Sequence, residues 1–120
     1  MFNETVDYSE RTVRRVGMLI KLKSDCLEEY KRLHAAAHPG VRDLLLRYHL
    51  HNFSIFLQKI GDDYYEFGYY EYRGESFESD MAKLAMEPRN IEWLKVCDTM
   101  QVPLEGHSGW TEMEAIYYNG

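Results

Sequence analysis

Two histidines lie one helical turn apart in the stretch EEYKRLHAAAHPG, and a proline follows the second one directly. His34 and His38 have the spacing of a ligand pair on a helix, and His49 and His51 have the spacing that places two rings on one face of a strand. In helical zinc-protease motifs the first histidine is followed by a glutamate base, but Ala35 stands here. The pattern therefore does not favour a metal site, and we expect His38 and His49 to be surface or helix-end residues.

Acid/base chemistry is better supported at His34. A histidine on the apolar stripe of a helix is most often a core residue. However, Tyr30 lies one turn earlier on the same stripe, and Trp93 can approach from a second helix. A tyrosine, a histidine and a tryptophan that face a sheet can line a small pocket with apolar walls and a few polar groups. The sequence has no phosphate loop, nucleophile elbow or dinucleotide fingerprint, so phosphoryl and hydride transfer are disfavoured.

Other chemically active side chains carry weaker signals. The tyrosines of DDYYEFGYYEY are typical of strands and interfaces. Glu66, Glu71 and Glu114 lie in predicted strands, and we expect them to be the solvent-facing members of an alternation. Cys97 is expected to be a packing residue.

The composition is that of one soluble globular domain. The chain has 120 residues, 45% of them hydrophobic, a net charge of −6 and two isolated cysteines. We expect a loosely ordered tail at residues 1–12 and a single domain at residues 13–120. An acidic chain repels nucleic acid on average, no apolar run approaches the ~20 residues of a membrane span, and the N-terminus does not resemble a signal peptide. We therefore expect a cytoplasmic protein that binds neither nucleic acid nor membranes.

Periodicity predicts the order βαββαβ. Residues 13–23 alternate as a strand, residues 25–48 have helical spacing with a kink near His38, and residues 51–58 and 64–73 form a hairpin. A helical segment broken at Pro88 and a last strand at residues 110–118 follow. The predicted buried stripe of the first helix consists of Leu27, Tyr30, His34, Ala37, Val41, Leu44 and Tyr48. This order fits an α+β, ferredoxin-like sandwich, a four-stranded antiparallel sheet with helices on one face.

The second face of such a sheet is predicted to be rich in aromatic rings. Phe56, Tyr65, Phe67 and Tyr69 would leave a large apolar patch in water. Because symmetric dimers are the commonest assemblies, we expect a second copy of the chain to cover this face.

These residues resemble those of a known family, the L-rhamnose mutarotases, over residues 13–117. The likeness lies in EEYKRLH with a proline five residues later, in HNFSIFL, in EWLKVCDTM and in the closing EMEAIYY. The resemblance implies small dimeric enzymes of the ferredoxin-like, dimeric α/β-barrel type. It also implies a carbohydrate isomerase of the aldose 1-epimerase type, which acts on a monosaccharide and requires no cofactor.

The resemblance also implies roles for individual residues. His34 would be the proton donor, and the sugar would be held by Tyr30, by the side chain at Phe53 and by the helix at Trp93 and Leu94. The family has a tyrosine where Phe53 stands and a second tryptophan where Leu94 stands. The family has an aromatic residue directly before the proline, where His38 stands in this sequence.

Proton transfer by a histidine suits the reaction, because interconverting α and β anomers needs only proton movement near neutral pH. The substrate expected from the resemblance is a 6-deoxy-L-hexose of the L-rhamnose type, with L-fucose or another deoxyhexose as the alternative. Two other functional classes fit the predicted fold. One is a cofactor-free monooxygenase or heme-degrading enzyme, and the other is a non-catalytic dimeric binding module in which Tyr30 and His34 are core residues.

Overall fold

Strand β1, Arg14–Leu22, forms where apolar and polar residues alternate. From Val16 onward its even-numbered side chains are buried, with Val16 at 3%, Ile20 at 2% and Leu22 at 2% exposure. The predicted first strand is thus confirmed, and its buried face defines the side of the sheet on which the core lies.

The computed structural model describes residues 13–120, so the tail predicted at residues 1–12 lies outside the described residues. The other strands are β2 (Leu50–Ile60), β3 (Asp63–Tyr72), β4 (Gln101–Val102) and β5 (Thr111–Met113). The helices are α1 (Leu27–Leu33), α2 (Arg42–Arg47), α3 (Phe77–Met86) and α4 (Pro88–Asp98), and a short 3₁₀ turn at Ser24–Cys26 precedes α1. Within the described part of the chain, no helix has the length and apolar character that a membrane span requires.

The strands form one antiparallel sheet in the order β2-β3-β1-β4, and β5 pairs with β1 as well. Strand β4 pairs with the end of β1 at Lys21 and Leu22, and β5 pairs with its middle at Gly17–Leu19. This order and the helices packed against the buried side of the sheet confirm the predicted ferredoxin-like α+β fold. The predicted last strand was too long, because only Thr111–Met113 pair with the sheet and β4 precedes them.

The first helical segment ends earlier than predicted. We expected one helix with a kink near His38, but α1 ends at Leu33 and α2 begins at Arg42. The intervening turn contains Pro39, which lacks a backbone N–H, and Gly40, which has a φ of 53°. Ala37 was predicted to be buried and is instead exposed, because the turn takes it off the helical stripe.

Strand β2 contains a bulge that was not predicted. Asn52 has a φ of 54°, and the register with β3 shifts between His51 and Ser54. Plain alternation over residues 51–58 would place His51 and Phe53 on one face, but the extra residue reverses the alternation and separates them. His51 lies opposite Glu71 on the outer face, whereas Phe53 packs against the core.

The core between sheet and helices consists of two clusters, and partly buried Trp93 packs against both of them. One contains Leu22, Tyr30, Leu33, Cys97 and Met100. The other contains Val41, Leu44, Leu50, Tyr72 and Leu84.

The outer face of the sheet carries the predicted rings. The register places Phe56 opposite Phe67, with Tyr65 and Tyr69 on the same face. Phe56 is 66% exposed and Ile60 is 53% exposed. The described chain therefore presents an apolar patch on the side of the sheet away from the helices.

Candidate active site

His34 lies immediately after the last residue of α1, with a φ of −102° and a ψ of 4°. Its backbone N–H donates to the carbonyl oxygens of Tyr30 and Lys31, each at 3.2 Å. Its ring Nδ1 lies 2.8 Å from the same Tyr30 carbonyl oxygen. Because a carbonyl oxygen can only accept, Nδ1 carries a hydrogen, and Nε2 of the neutral ring is the free proton acceptor.

Two aromatic side chains flank this imidazole. The Tyr30 ring stacks on it with centroids 4.1 Å apart and planes 19° apart. The Trp93 ring lies 5.1 Å away at an angle of 59°. The His38 ring also lies beside Trp93, with centroids 5.8 Å apart. His34 is thus fixed between rings contributed by α1 and α4.

Burial lowers the pKa of His34 below its ordinary value, and electrostatic repulsion from nearby Arg42 and His38 lowers it further. The hydrogen bond to the Tyr30 carbonyl acts in the opposite direction. Since an unperturbed histidine has a pKa of about 6.5, the ring is mostly neutral at pH 7.

Arg42 holds the turn that follows His34. Its guanidinium donates to the carbonyl oxygens of His34 at 3.1 Å, Ala35 at 3.0 Å and Ala36 at 3.4 Å, and also to that of His38. Carbonyl groups at the end of a helix have no partner within the helix, so a cation there is favourable. The first residue of α2 therefore stabilises the end of α1.

A cavity of about 630 Å³ opens beside this cluster, between the helices and the sheet. All five residues predicted from the sequence line it, namely Tyr30, His34, Phe53, Trp93 and Leu94. Most of the remaining wall is apolar, which is typical of small-ligand sites. A second hollow of about 550 Å³ lies between Tyr48 and α3 and includes none of these residues.

Three residues of the cavity wall are those at which the resemblance implies a departure from the family, namely Phe53, Leu94 and His38. Phe53 stacks on Tyr70, with centroids 5.4 Å apart and planes 19° apart. Leu94 is 42% exposed. His38 also lines the cavity, and its Nδ1 accepts the Gly40 N–H at 3.3 Å.

A buried polar group lies behind Tyr30. Gln101 lines the cavity, and its Nε2 donates to the Tyr30 hydroxyl and to Glu66 Oε1, each at 3.0 Å. The expectation that Glu66 faces solvent was wrong, because it pairs with Ile20 on the helix side of the sheet and is only 1% exposed. Burial raises the pKa of the Glu66 carboxyl, with smaller opposing effects from Tyr30 and Gln101.

The sequence analysis missed the buried Glu66 and three polar residues of the cavity wall, Asn52, Asn90 and Gln101. In β3 both faces carry tyrosine or phenylalanine, so alternation does not show which face is buried. Gln101 comes near Tyr30 only through the pairing of β4 with β1. Asn52 and Asn90 also line the cavity, and neither belongs to a recognisable motif.

Of the remaining candidates, Cys97 also lines the cavity, whereas His49 and His107 do not. Burial raises the pKa of the Cys97 thiol to about 12, and this side chain is part of the core, as predicted. His49 and His107 are exposed and line neither the cavity nor its rim. Among residues 13–120, no group of three or more His, Cys, Asp or Glu side chains is arranged to hold a metal ion.

The family model described as L-rhamnose mutarotase matches residues 15–119. This chain belongs to the L-rhamnose mutarotase family. An L-rhamnose mutarotase of Mannheimia succiniciproducens is 30% identical over 104 residues, which cover 87% of this chain and 96% of that protein. One of Lactiplantibacillus plantarum is 33% identical over 105 residues, with the same coverage of 87% and 96%. The family is one of carbohydrate isomerases that interconvert anomers.

A solved structure shows the same fold. The crystal structure of an L-rhamnose mutarotase from Formosa agariphila superposes with a TM-score of 0.66 at 19% identity. The match covers 89% of this chain and 99% of that one. The arrangement of sheet and helices described above is therefore that of a member of the L-rhamnose mutarotase family.

Proposed function

We propose that this protein interconverts the α and β anomers of a 6-deoxy-L-hexose, with L-rhamnose as the expected substrate and His34 as the acid/base residue. The observation that supports this most directly is the position of His34, whose ring lines a largely apolar cavity and has its Nδ1 occupied by the Tyr30 carbonyl. Nε2 is then the ring nitrogen that exchanges a proton with the sugar.

The reaction needs proton movement alone. In ring opening the anomeric hydroxyl loses its proton, the C1–O5 bond breaks, and the ring oxygen O5 gains a proton. Rotation about C1–C2 and closure on the other face reverse these transfers. In its neutral form His34 Nε2 accepts a proton from the sugar, and in its cationic form the same atom donates one. A histidine with a lowered pKa passes between these forms near neutral pH.

The cavity walls suit a deoxy sugar. A 6-deoxyhexose has a methyl group and C–H-rich faces that bind against aromatic and aliphatic side chains. Tyr30, Phe53, Trp93 and Leu94 are the substrate-binding residues in this proposal. Phe53 has no hydroxyl to donate, and Leu94 offers an aliphatic surface where the family has an indole. These two differences make L-fucose or another deoxyhexose the second candidate substrate.

We also propose a homodimer through the outer face of the sheet, in a single domain that comprises residues 13–120. The exposed Phe56 and Ile60 on that face support it, since a second copy would remove them from water. A cytoplasmic location is part of the same proposal, and it rests on Cys26 and Cys97, which are both free thiols.

NMR exchange spectroscopy on α and β L-rhamnose, with L-fucose as the parallel substrate and excess chelator in both samples, tests the function. The proposal expects exchange well above the uncatalysed rate for at least one of the two sugars and no effect of the chelator. Uncatalysed rates with both sugars would reject it. A change in the absorbance spectrum of heme when the protein is added, together with uncatalysed anomer exchange of both sugars, would instead favour the heme-degrading class.

A further inference from the structure

Within residues 13–120, the largest fully buried side chains are those of Ile20, Leu22, Leu44 and Glu66. Glu66 is the charged member of this group. On the sheet it pairs with Ile20 of β1 and Leu57 of β2. No lysine or arginine within residues 13–120 forms an ion pair with it. A carboxylate in such a place is costly unless it is paired or protonated.

The hydrogen bonds around Glu66 can be assigned one by one. Gln101 Nε2 has two hydrogens, and it donates one to Glu66 Oε1 and the other to the Tyr30 hydroxyl oxygen. The other carboxyl oxygen, Glu66 Oε2, is buried without a hydrogen-bond partner. A buried oxygen that receives no hydrogen bond stabilises a negative charge poorly, so this arrangement favours the protonated form.

We propose that Glu66 is a positioning residue of the site, which as a neutral carboxylic acid leaves the Tyr30 hydroxyl hydrogen available to a sugar oxygen in the cavity. This inference rests on the function proposed above. The Tyr30 oxygen already accepts from Gln101, so its own hydrogen is the only one that it can donate. The Tyr30 hydroxyl is within hydrogen-bonding reach of Glu66, and an ionised Glu66 would hold that hydrogen away from the cavity, because a hydrogen bond to a carboxylate is stronger than one to a neutral oxygen.

The titratable groups that face Glu66 do not oppose this state. Tyr30 approaches from α1 and Cys97 from α4, and burial raises the pKa of both, so both are neutral at pH 7. Strand β4 contributes the uncharged Gln101. Burial raises the pKa of Glu66 as well, in agreement with the hydrogen-bond assignment.

The matched variants are Glu66→Gln and Glu105→Gln. Glu66→Gln keeps an oxygen for the Gln101 amide and cannot ionise, so it imitates the neutral acid. Glu105 is exposed in the loop before β5, and its substitution controls for the loss of a carboxylate anywhere in the chain. Three measurements are made on the wild type and both variants: the infrared C=O band of protonated carboxyls at neutral pH, thermal unfolding at several pH values, and KM and kcat for L-rhamnose anomer exchange.

The first two readouts do not depend on activity. We expect a protonated-carboxyl band in the wild type and in Glu105→Gln that is lost in Glu66→Gln. A glutamate ionises near pH 4.3 when the chain is unfolded, so the wild type should lose stability as pH rises from there towards the raised pKa of the folded state. Glu66→Gln should not lose stability in this way. The difference between its melting temperature and that of the wild type should therefore increase with pH.

In exchange kinetics the wild-type KM should rise roughly threefold to tenfold as pH passes through the raised pKa of Glu66, the equivalent of one hydrogen bond, with kcat little changed. Glu66→Gln should keep the low KM across this range. Absence of the infrared difference, or parallel pH dependence of stability and KM in the wild type and Glu66→Gln, would overturn the inference. A wild type that exchanges no sugar would reject the proposed function, while the infrared and unfolding data would still report separately on Glu66.

Discussion

Replacement of Gly40 by alanine should disturb both stability and activity, because two separate costs meet there. The residue has a φ of 53°, where an alanine is disfavoured by about 1 kcal/mol. An added Cβ would also lie 3.3 Å from Trp93 Cη2, which is closer than the ~3.5–4.0 Å of a favourable carbon–carbon contact. We assign about 1 kcal/mol to this overlap, the lower end of overpacking costs. The total of about 2 kcal/mol corresponds to roughly 8 °C in melting temperature.

Gly61→Ala is the matched control. Gly61 has a φ of 64°, and an added Cβ there meets no atom within 4 Å. It should therefore have only the backbone cost, about 1 kcal/mol or roughly 4 °C. The displacement of Trp93 should be visible as a shift of its indole N–H resonance in Gly40→Ala alone. Because Trp93 contacts His34, anomer exchange should fall about threefold to tenfold in this variant and remain unchanged in Gly61→Ala.

Thermal unfolding, a two-dimensional NMR spectrum and exchange spectroscopy on the same samples provide the comparison. If both variants lose the same stability and retain the same exchange rate, Gly40 does not position Trp93. The reasoning that connects the turn after α1 to the site would then be wrong.

Arg42→Met should lose about 1 kcal/mol more stability in thermal unfolding than Arg32→Met. Arg42 donates to carbonyl oxygens just after the end of α1, whereas Arg32 forms an exposed ion pair with Glu29. Equal losses of stability would contradict this role of Arg42. The lowered pKa of His34 means that the unfolded chain binds this proton before the folded chain does, so the stability of the wild type relative to His34→Asn should decrease as pH drops below about 6.5; a stability difference that does not change with pH would refute the shift. Phe56→Lys should halve the molecular mass measured by light scattering, from that of the proposed dimer to that of one chain. A dimer that persists in this variant would place the interface elsewhere.

The sequence was sufficient to predict that Tyr30, His34 and Trp93 lie close together, but not the polar residues beside them. Alternation in β1 and helical spacing in the first helix each fix one face of one element, and both faces point to the same core. Tyr30, His34 and Trp93 follow from that geometry. Phe53 and Leu94 followed from the family resemblance, and the cavity includes them as well.

Local backbone events and tertiary pairing could not be predicted in the same way. The bulge depends on a positive φ at Asn52, a residue that adopts this conformation only in some contexts. The turn after α1 depends on Arg42, eight residues beyond His34, because its guanidinium donates to carbonyl oxygens of that turn. The burial of Glu66 depends on which face of an aromatic strand is covered, and this is decided by pairing with β1.

The most direct test of the central claim is anomer exchange by His34→Asn, measured with sugar binding on the same sample. Asparagine retains polarity and approximate size at this half-buried position. The account predicts that the variant folds, binds L-rhamnose or L-fucose like the wild type, and exchanges anomers more slowly by the ~10²–10⁴ that general acid/base catalysis supplies. Exchange at the wild-type rate in the folded variant would contradict the assignment of His34 as the acid/base residue.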